Sequence, residues 1–143
     1  REPWELVPFV LSMFTLVLAL DKYSVTTEIA NLLSGGGNFA ETIKYGVASF
    51  LTANVINNIP MSVLFGGVIE SGVATNAKIF GSIIGSNLGA YLTPIGALAG
   101  IMWTGLLKTH NVKFSFKDFV KYGVIVAIPT LLSALITLSV LIS

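Results

Sequence analysis

Long apolar runs, interrupted twice by polar and helix-breaking residues, set the pattern of this chain. Leu6 to Leu20 is apolar apart from Ser12 and Thr15, and Trp4 stands at one end with Asp21-Lys22-Tyr23 at the other. That predicts a membrane span over residues 4–20, with Trp and Tyr suited to the headgroup level. Pro8 falls in the first turns, where a missing donor matters least. In 23–34, Val25, Ile29, Leu32 and Leu33 recur at helical spacing among Thr26, Thr27, Glu28 and Asn31. This predicts an interfacial amphipathic helix. Gly35-Gly36-Gly37-Asn38 ends it, because glycine takes positive φ freely. A phosphate-cradling loop would need a Lys and Ser/Thr at fixed spacing after the glycines. Those are absent, so the stretch reads as a connector.

The first interruption is Ala53-Asn54-Val55-Ile56-Asn57-Asn58-Ile59-Pro60, three asparagines and a proline within seven residues. Between Lys44 and Lys78 the sole charged residue is Glu70. Asn side chains compete for backbone hydrogen bonds, and Pro60 removes a donor and clashes with the turn before it. In hydrocarbon such a break survives only where it is buried in protein or lines a wet cavity. Residues 41–73 are therefore expected to form a re-entrant hairpin, with arms 41–56 and 62–73 too short to span. One long, Pro-kinked helix is the alternative. Small residues along the arms (Gly46, Ala48, Ser49, Ala53, Ser62, Gly66, Gly67) would allow close packing.

The second interruption follows about 30 residues later, at Gly85-Ser86-Asn87-Leu88-Gly89-Ala90-Tyr91-Leu92-Thr93-Pro94-Ile95-Gly96. Three glycines (Gly85, Gly89, Gly96) and Pro94 make residues 77–107 a discontinuous helix: half-helix, unwound loop, half-helix. Paired interrupted segments are the sequence-level pointer to a transporter's solute site. Lys108, His110, Lys113, Lys117 and Lys121 then face a single Asp118. Residues 108–118 are expected to be a cytoplasmic loop, followed by a last span over 119–142 that Pro129 would kink.

Composition agrees. The chain has 143 residues, 54% hydrophobic and 10% charged, against about 25% charged in soluble domains. A net charge of +1 gives no argument for nucleic acid. With no cysteine, there is no disulfide framework and no thiolate metal site. The start at Arg1-Glu2-Pro3 is unlike a signal peptide, and the chain reads as a piece of something longer. His110 is the one histidine and is expected at the surface. Without a nucleophile–base pair, hydrolytic catalysis is unsupported, and no enzyme is expected. The two interruptions offer neutral polarity instead: Asn54, Asn57, Asn58, Ser62, Ser86, Asn87 and Thr93 both donate and accept. With unwound carbonyls and half-helix N-termini, such groups suit a small hydroxylated solute, an anion or Na⁺. The plainer alternative is that they only fasten helices together.

At these two motifs the sequence resembles the ArsB arsenite/antimonite efflux permeases of the ion-transporter superfamily. The residues are Asn57-Asn58-Ile59-Pro60, Gly85-Ser86-Asn87-Leu88-Gly89, and Leu92-Thr93-Pro94-Ile95-Gly96-Ala97-Leu98-Ala99 with Trp103. The resemblance covers most of 50–143, and residues 1–41 fit more loosely. It implies an all-α integral membrane fold in which this chain is one inverted repeat, the C-terminal one, with a re-entrant hairpin and a discontinuous helix. It implies a multi-pass plasma-membrane protein whose N-terminal repeat supplies the other wall of the site. Efflux of an arsenite- or antimonite-type oxyacid follows, with the lipid bilayer, a homodimer and an energising ATPase as compatible partners. No cofactor is implied beyond transported Na⁺ or H⁺. Family members often carry Asp where Asn87 stands and Pro where Ala90 stands. The neutral Asn87 leaves no titratable group at the second interruption, so proton coupling through this repeat is not supported. A Na⁺/H⁺ antiporter or a carboxylate/anion permease of the same superfamily is the alternative within transport. A structural membrane subunit is the alternative outside it, ahead of a membrane-embedded enzyme.

Overall fold

The computed structural model describes Trp4 and residues 6–142. These form seven α-helices and no strand: α1 Leu6–Lys22, α2 Val25–Leu33, α3 Gly37–Ile56, α4 Asn58–Glu70, α5 Asn76–Gly89, α6 Leu98–Thr109 and α7 Phe116–Leu141, with a 3-10 turn at Pro94–Gly96 before α6. The rest of the expected 4–20 span's start, at Glu5, lies outside the described residues.

The polar stretch at Asn57 folds the chain back on itself. Tyr45 of α3 meets Phe65 of α4 edge-on, ring centroids 6.3 Å apart. Residues 20 apart along one continuous helix would be separated by about 30 Å. The chain is thus a hairpin, not a single kinked helix. Its interior buries Tyr45, Ala53, Met61, Leu64, Phe65 and Val68 with Val17 of α1 and Ala30 of α2. The arms differ from expectation in length. The first begins at Gly37 and runs 20 residues, about 30 Å, so it is not too short to span. The second begins at Asn58, which puts Pro60 inside its first turn. There the missing N–H leaves no bond unmade, so Pro60 starts α4 and does not break the helix. The break is the single residue Asn57.

The glycines at 85 and 89 are likewise helical. Helix α5 continues through both, so Gly85, Ser86, Asn87 and Gly89 are not unwound. With Gly81 they form a stripe at every fourth residue, which is one helix face. A Cβ at Gly81 would lie 2.8 Å from the Thr42 carbonyl oxygen, and one at Gly89 2.8 Å from that of Phe50. At Gly85 it would collide with the Gly46 carbonyl and the Ser49 hydroxyl. The stripe brings α5 backbone to backbone with α3, as small residues do between membrane helices. Gly46 in turn receives the Leu135 side chain of α7 on its bare Cα. Leu135 packs there with Phe50, Ala127 and Leu131 as the second apolar cluster.

Among the described residues, α7 is the one helix long and apolar enough to cross a membrane alone. Its 26 residues measure about 39 Å, more than the hydrocarbon core of about 30 Å. It runs as one helix through Pro129 and starts at Phe116, three residues earlier than expected. Because α6 reaches Thr109, the polar connection shortens to 110–115. A capping box fixes that start: Asp118 Oδ2 accepts from the Ser115 backbone N–H at 3.0 Å, and the Ser115 hydroxyl oxygen accepts from the Asp118 N–H at 3.2 Å. α1 and α2 satisfy the length and hydropathy test only together, as a pair bent by 75°. The inward face of α2 is Thr26, Ile29, Ala30 and Leu33, with Leu32 turned out. Ile29 and Leu33 of the expected stripe do face inward, while Ala30 and Thr26, which donates to Asp21 Oδ1 (3.0 Å), are buried and Leu32 is not.

The end of the hairpin away from Asn57 is closed by a polar cluster absent from the sequence expectations. Lys78 is 4% exposed, yet its Nζ sits 3.6 Å from Glu41 Oε1 and donates to the Val73 carbonyl at 2.8 Å. It also stands 5.8 Å from the Tyr45 ring centroid. Glu41 accepts from the Gly35 N–H (3.0 Å) and the Thr75 hydroxyl (3.3 Å). One carboxylate therefore joins the connections on either side of the hairpin. At the same end Asn38 Nδ2 donates to the Ile142 carbonyl at 2.8 Å, so the start of α3 and the end of α7 are neighbours, and the lysine-rich segment lies at the opposite end of α7.

Two stability tests follow. Gly85→Ala should destabilise by at least about 1–3 kcal/mol, since carbonyl backbone cannot yield to the new methyl. Gly105→Ala, in α6 with open space around it, should gain about 0.5–1 kcal/mol. Thermal unfolding of the two variants checks this; equal effects would refute the backbone contact. Lys78→Met should cost about 3–5 kcal/mol by stranding Glu41, and adding Glu41→Gln should recover part of that loss. A double-mutant cycle with purely additive losses would show that the pair does not interact.

Candidate functional site

The two interruptions meet, and two asparagines join them. Asn57 has φ 73° and ψ 153°, a conformation disfavoured for any residue with a side chain and costing about 1–3 kcal/mol. It is 1% exposed. Its Oδ1 caps α4 by accepting from the Ile59 N–H (3.3 Å), and its Nδ2 donates to the Ile95 carbonyl (3.0 Å). One turn earlier, Asn54 Oδ1 accepts from the Thr93 hydroxyl (2.8 Å) while its Nδ2 donates to the Phe50 carbonyl (2.8 Å). The unwound stretch on the other side runs from Ala90 to Ala97, with the 3-10 turn Pro94–Gly96 in its second half. Pro94 and Gly96 lie buried there, and a Cβ on Gly96 would press within 2.6 Å of the Gly89 carbonyl. These two are interruptions as expected, in contrast to Pro60, Gly85 and Gly89.

The expected site residues thus divide into two groups. Asn54, Asn57 and Thr93 use their polar atoms on one another and on backbone. Asn58, Ser86 and Asn87 instead line an open groove of about 450 Å³ between α4 and α5. Ser62 and Ser82 line it with them. The Ser62 hydroxyl donates to the Asn58 carbonyl (2.8 Å) and lies 3.4 Å from the Ser86 hydroxyl. Asn87 Nδ2 donates to the Ile83 carbonyl (2.8 Å), which leaves its side-chain oxygen as an acceptor at the groove. Ser82 is 7% exposed, and its hydroxyl is one of two buried side-chain polar atoms, among the described residues, without a partner. The other is the Tyr45 hydroxyl.

Ser82 was not among the expected residues, although its spacing from Ser86 is the helical i, i+4 that places both on one face. The remaining lining is apolar: Ile59, Met61, Val63, Phe65, Ile69, Ile79 and Ile83 with Gly66. No charged side chain lines the groove, and no group of three or more metal-ligating side chains exists among the described residues. Such a surface can hydrogen-bond a small neutral or weakly charged solute in several orientations. It cannot itself take up or release a proton near neutral pH.

Residues 1–142 match the family described as "Arsenical pump membrane protein". The chain belongs to the ArsB family. It is 32% identical over 149 residues to the arsenical pump membrane protein of Escherichia coli (strain K12), an alignment that takes in 99% of this chain and 34% of that protein. It is 33% identical over 149 residues to the arsenical pump membrane protein of Yersinia enterocolitica, with the same coverage. A putative arsenical pump membrane protein of Bacillus subtilis (strain 168) is 26% identical over 142 residues, covering 94% of this chain and 32% of the relative. The chain therefore spans about a third of the length of the curated relatives it matches. No solved structure matches it significantly.

Within this ArsB-family chain the asparagine pair and the groove make separable claims. Asn57→Gly should relieve the positive φ but leave the Ile95 carbonyl without its side-chain donor. Asn57→Ala should do the latter and keep the backbone strain. The expected order of thermal stability is wild type, Asn57→Gly, Asn57→Ala, with the loss of the hydrogen bond alone near 1–3 kcal/mol. Unfolding temperatures that leave Asn57→Ala at wild-type stability would show that the junction is not held through Asn57.

Proposed function

We propose that this chain is the C-terminal membrane repeat, over residues 1–143, of a secondary transporter that exports arsenite- or antimonite-type oxyacids. The groove between α4 and α5 would be this repeat's wall of the solute path. The carrying observation is the unpartnered, buried Ser82 hydroxyl set beside Asn58, Ser62, Ser86 and Asn87 in an otherwise apolar groove. A trihydroxylated, uncharged solute both donates and accepts hydrogen bonds, and so do hydroxyl and amide side chains. Family membership supports transport as the class of activity, and the names of the relatives supply the solute. With no cysteine in the chain, the solute would be held through its oxygens and not as a thiolate complex.

Several elements of this proposal go together. The repeat would sit in a multi-pass plasma-membrane protein, with an inverted N-terminal repeat closing the groove from the other side. The residues proposed to contact solute are Asn58, Ser82, Ser86 and Asn87. Asn54, Asn57 and Thr93 would act through them, by fixing the angle at which α4 leaves the junction. Since no titratable side chain lines the groove, any coupling proton would use a group elsewhere in the protein.

The test is solute flux in everted vesicles carrying the full-length protein. Asn58→Ala and Ser82→Ala should each lower flux, by about five- to tenfold for one lost hydrogen bond of roughly 1–1.5 kcal/mol, with unfolding temperatures near wild type. Asn87→Asp should add a pH dependence that the wild type lacks, because a carboxyl at membrane depth has a raised pKa. Wild-type flux in both alanine variants, together with superimposable pH profiles for Asn87→Asp, would remove the groove from the path.

A further inference from the structure

A second concavity lies at the other end of the fold, between α6, α7 and the unwound stretch. Tyr91, Trp103, Phe114, Phe119 and Tyr122 line a slot of about 220 Å³ there. Trp103 organises it, meeting Phe114 and Phe119 edge-on with centroids 5.2 and 5.8 Å away. Tyr91, Trp103 and Phe119 also line an adjoining concavity of about 420 Å³ whose other walls are Ala90, Ala97, Ala99 and Gly100. The two concavities thus share one aromatic wall, and the second is otherwise lined by small residues. No residue of α6 is buried, so this side of the slot is open. Its floor is fixed by Gly123, where a Cβ would collide with the Tyr91 carbonyl.

The rim is basic. Lys121 Nζ stands 5.9 Å from the centroid of the Tyr122 ring, which is itself a wall of the slot. Lys108, Lys113 and Lys117 are exposed in the same segment. Among the described residues none of these four lysines makes an ion pair; the one salt bridge is that of Lys78. The nearby Asp118 is engaged by the Ser115 hydroxyl and N–H.

We propose that the slot between α6 and α7 binds an anionic phospholipid, with an acyl chain along Trp103 and Phe119 and the headgroup phosphate on Lys121. The charge decides the class of occupant. Exposed lysines beside an apolar slot, with Lys121 nearest and only weakly attracted by Asp118, match a molecule with a negative head and an apolar tail. The position agrees, since lysine-rich loops face the cytoplasmic leaflet and basic pockets between helices on that side take acidic headgroups. Aromatic walls with polar tips are suited to the headgroup boundary. The site depends on membrane placement alone and holds whatever solute the α4–α5 groove carries.

Native mass spectrometry of the full-length protein, released from nanodiscs of equal phosphatidylglycerol and phosphatidylcholine, tests this. Wild type should retain phosphatidylglycerol preferentially. Lys121→Gln should weaken that retention by about fivefold, the effect of one surface lysine on an anionic lipid, without changing retention of phosphatidylcholine. Phe119→Ala should weaken retention of both lipids. Lys121 is exposed, so its variant keeps the fold, and transport by Lys121→Gln provides the check on folding. Equal retention of the two lipids by wild type would overturn the proposal, as would undiminished phosphatidylglycerol in Lys121→Gln. A photo-crosslinker at Tyr122 that captures an upstream part of the protein in place of lipid would overturn it too, by showing that protein fills the slot.

Discussion

Backbone-to-backbone contact between α3 and α5 is the constraint on which the other helices depend. It brings the α5 face Gly81, Gly85 and Gly89 onto Thr42, Gly46, Ser49 and Phe50. In lipid, apolar side chains gain little by leaving one environment for an equally apolar one, so close approach and polar contacts do the holding. The α3–α5 seam supplies that approach along its whole length. It also sets the distance of α5 from the second arm of the hairpin, and hence the width of the serine- and asparagine-lined groove. Helix α7 uses the same bare Cα at Gly46 from the other side, through Leu135.

A second consequence of the seam is that it presents the two interruptions to each other. Asn54 and Asn57 lie in the last turn of α3 and at its end, where the Ala90–Ala97 stretch emerges after α5. Broken backbone at membrane depth has to satisfy its polar groups within the protein. Asn57 does so twice, capping α4 and serving the Ile95 carbonyl, while its own backbone carries the strained φ between two helices. The structure divides the asparagines between the junction and the groove, and solute contact is proposed only for those in the groove. Asn54 and Asn57 fasten, while Asn58, one residue further, faces the groove.

Much of this was legible in the sequence, for identifiable reasons. Polar residues packed into an apolar run can only mean a break or a site, so the hairpin and the half-helix pair were readable, as was the final span. The family resemblance rested on those same motifs. Glycine was the ambiguous letter. It marks either an unwound turn or a close approach, and Gly85 and Gly89 were read as the first. The discriminating signal was Gly81, whose spacing completes a helical stripe that a loop would not need. Pro60 misled in a similar way, since proline in a first turn begins a helix. The Glu41–Lys78 pair could not be read at all, because residues 37 apart come together only through the α3–α5 seam. Ser82 was hidden for a related reason: a serine without a partner looks like any other until its surroundings are known.

The junction at Asn57, Asn54, Thr93 and Ile95 also bears on how such a protein can move. Two hydrogen bonds, from Asn57 to the Ile95 carbonyl and from Thr93 to Asn54, tie the tip of the hairpin to the unwound stretch, beside the close backbone contact of the glycine seam. The two interruptions are thus mechanically linked. Under the proposed transport function, a local opening in which one tip swings away from the other would have to break both of these bonds. A movement that keeps them would instead carry α3, α5 and the unwound stretch together.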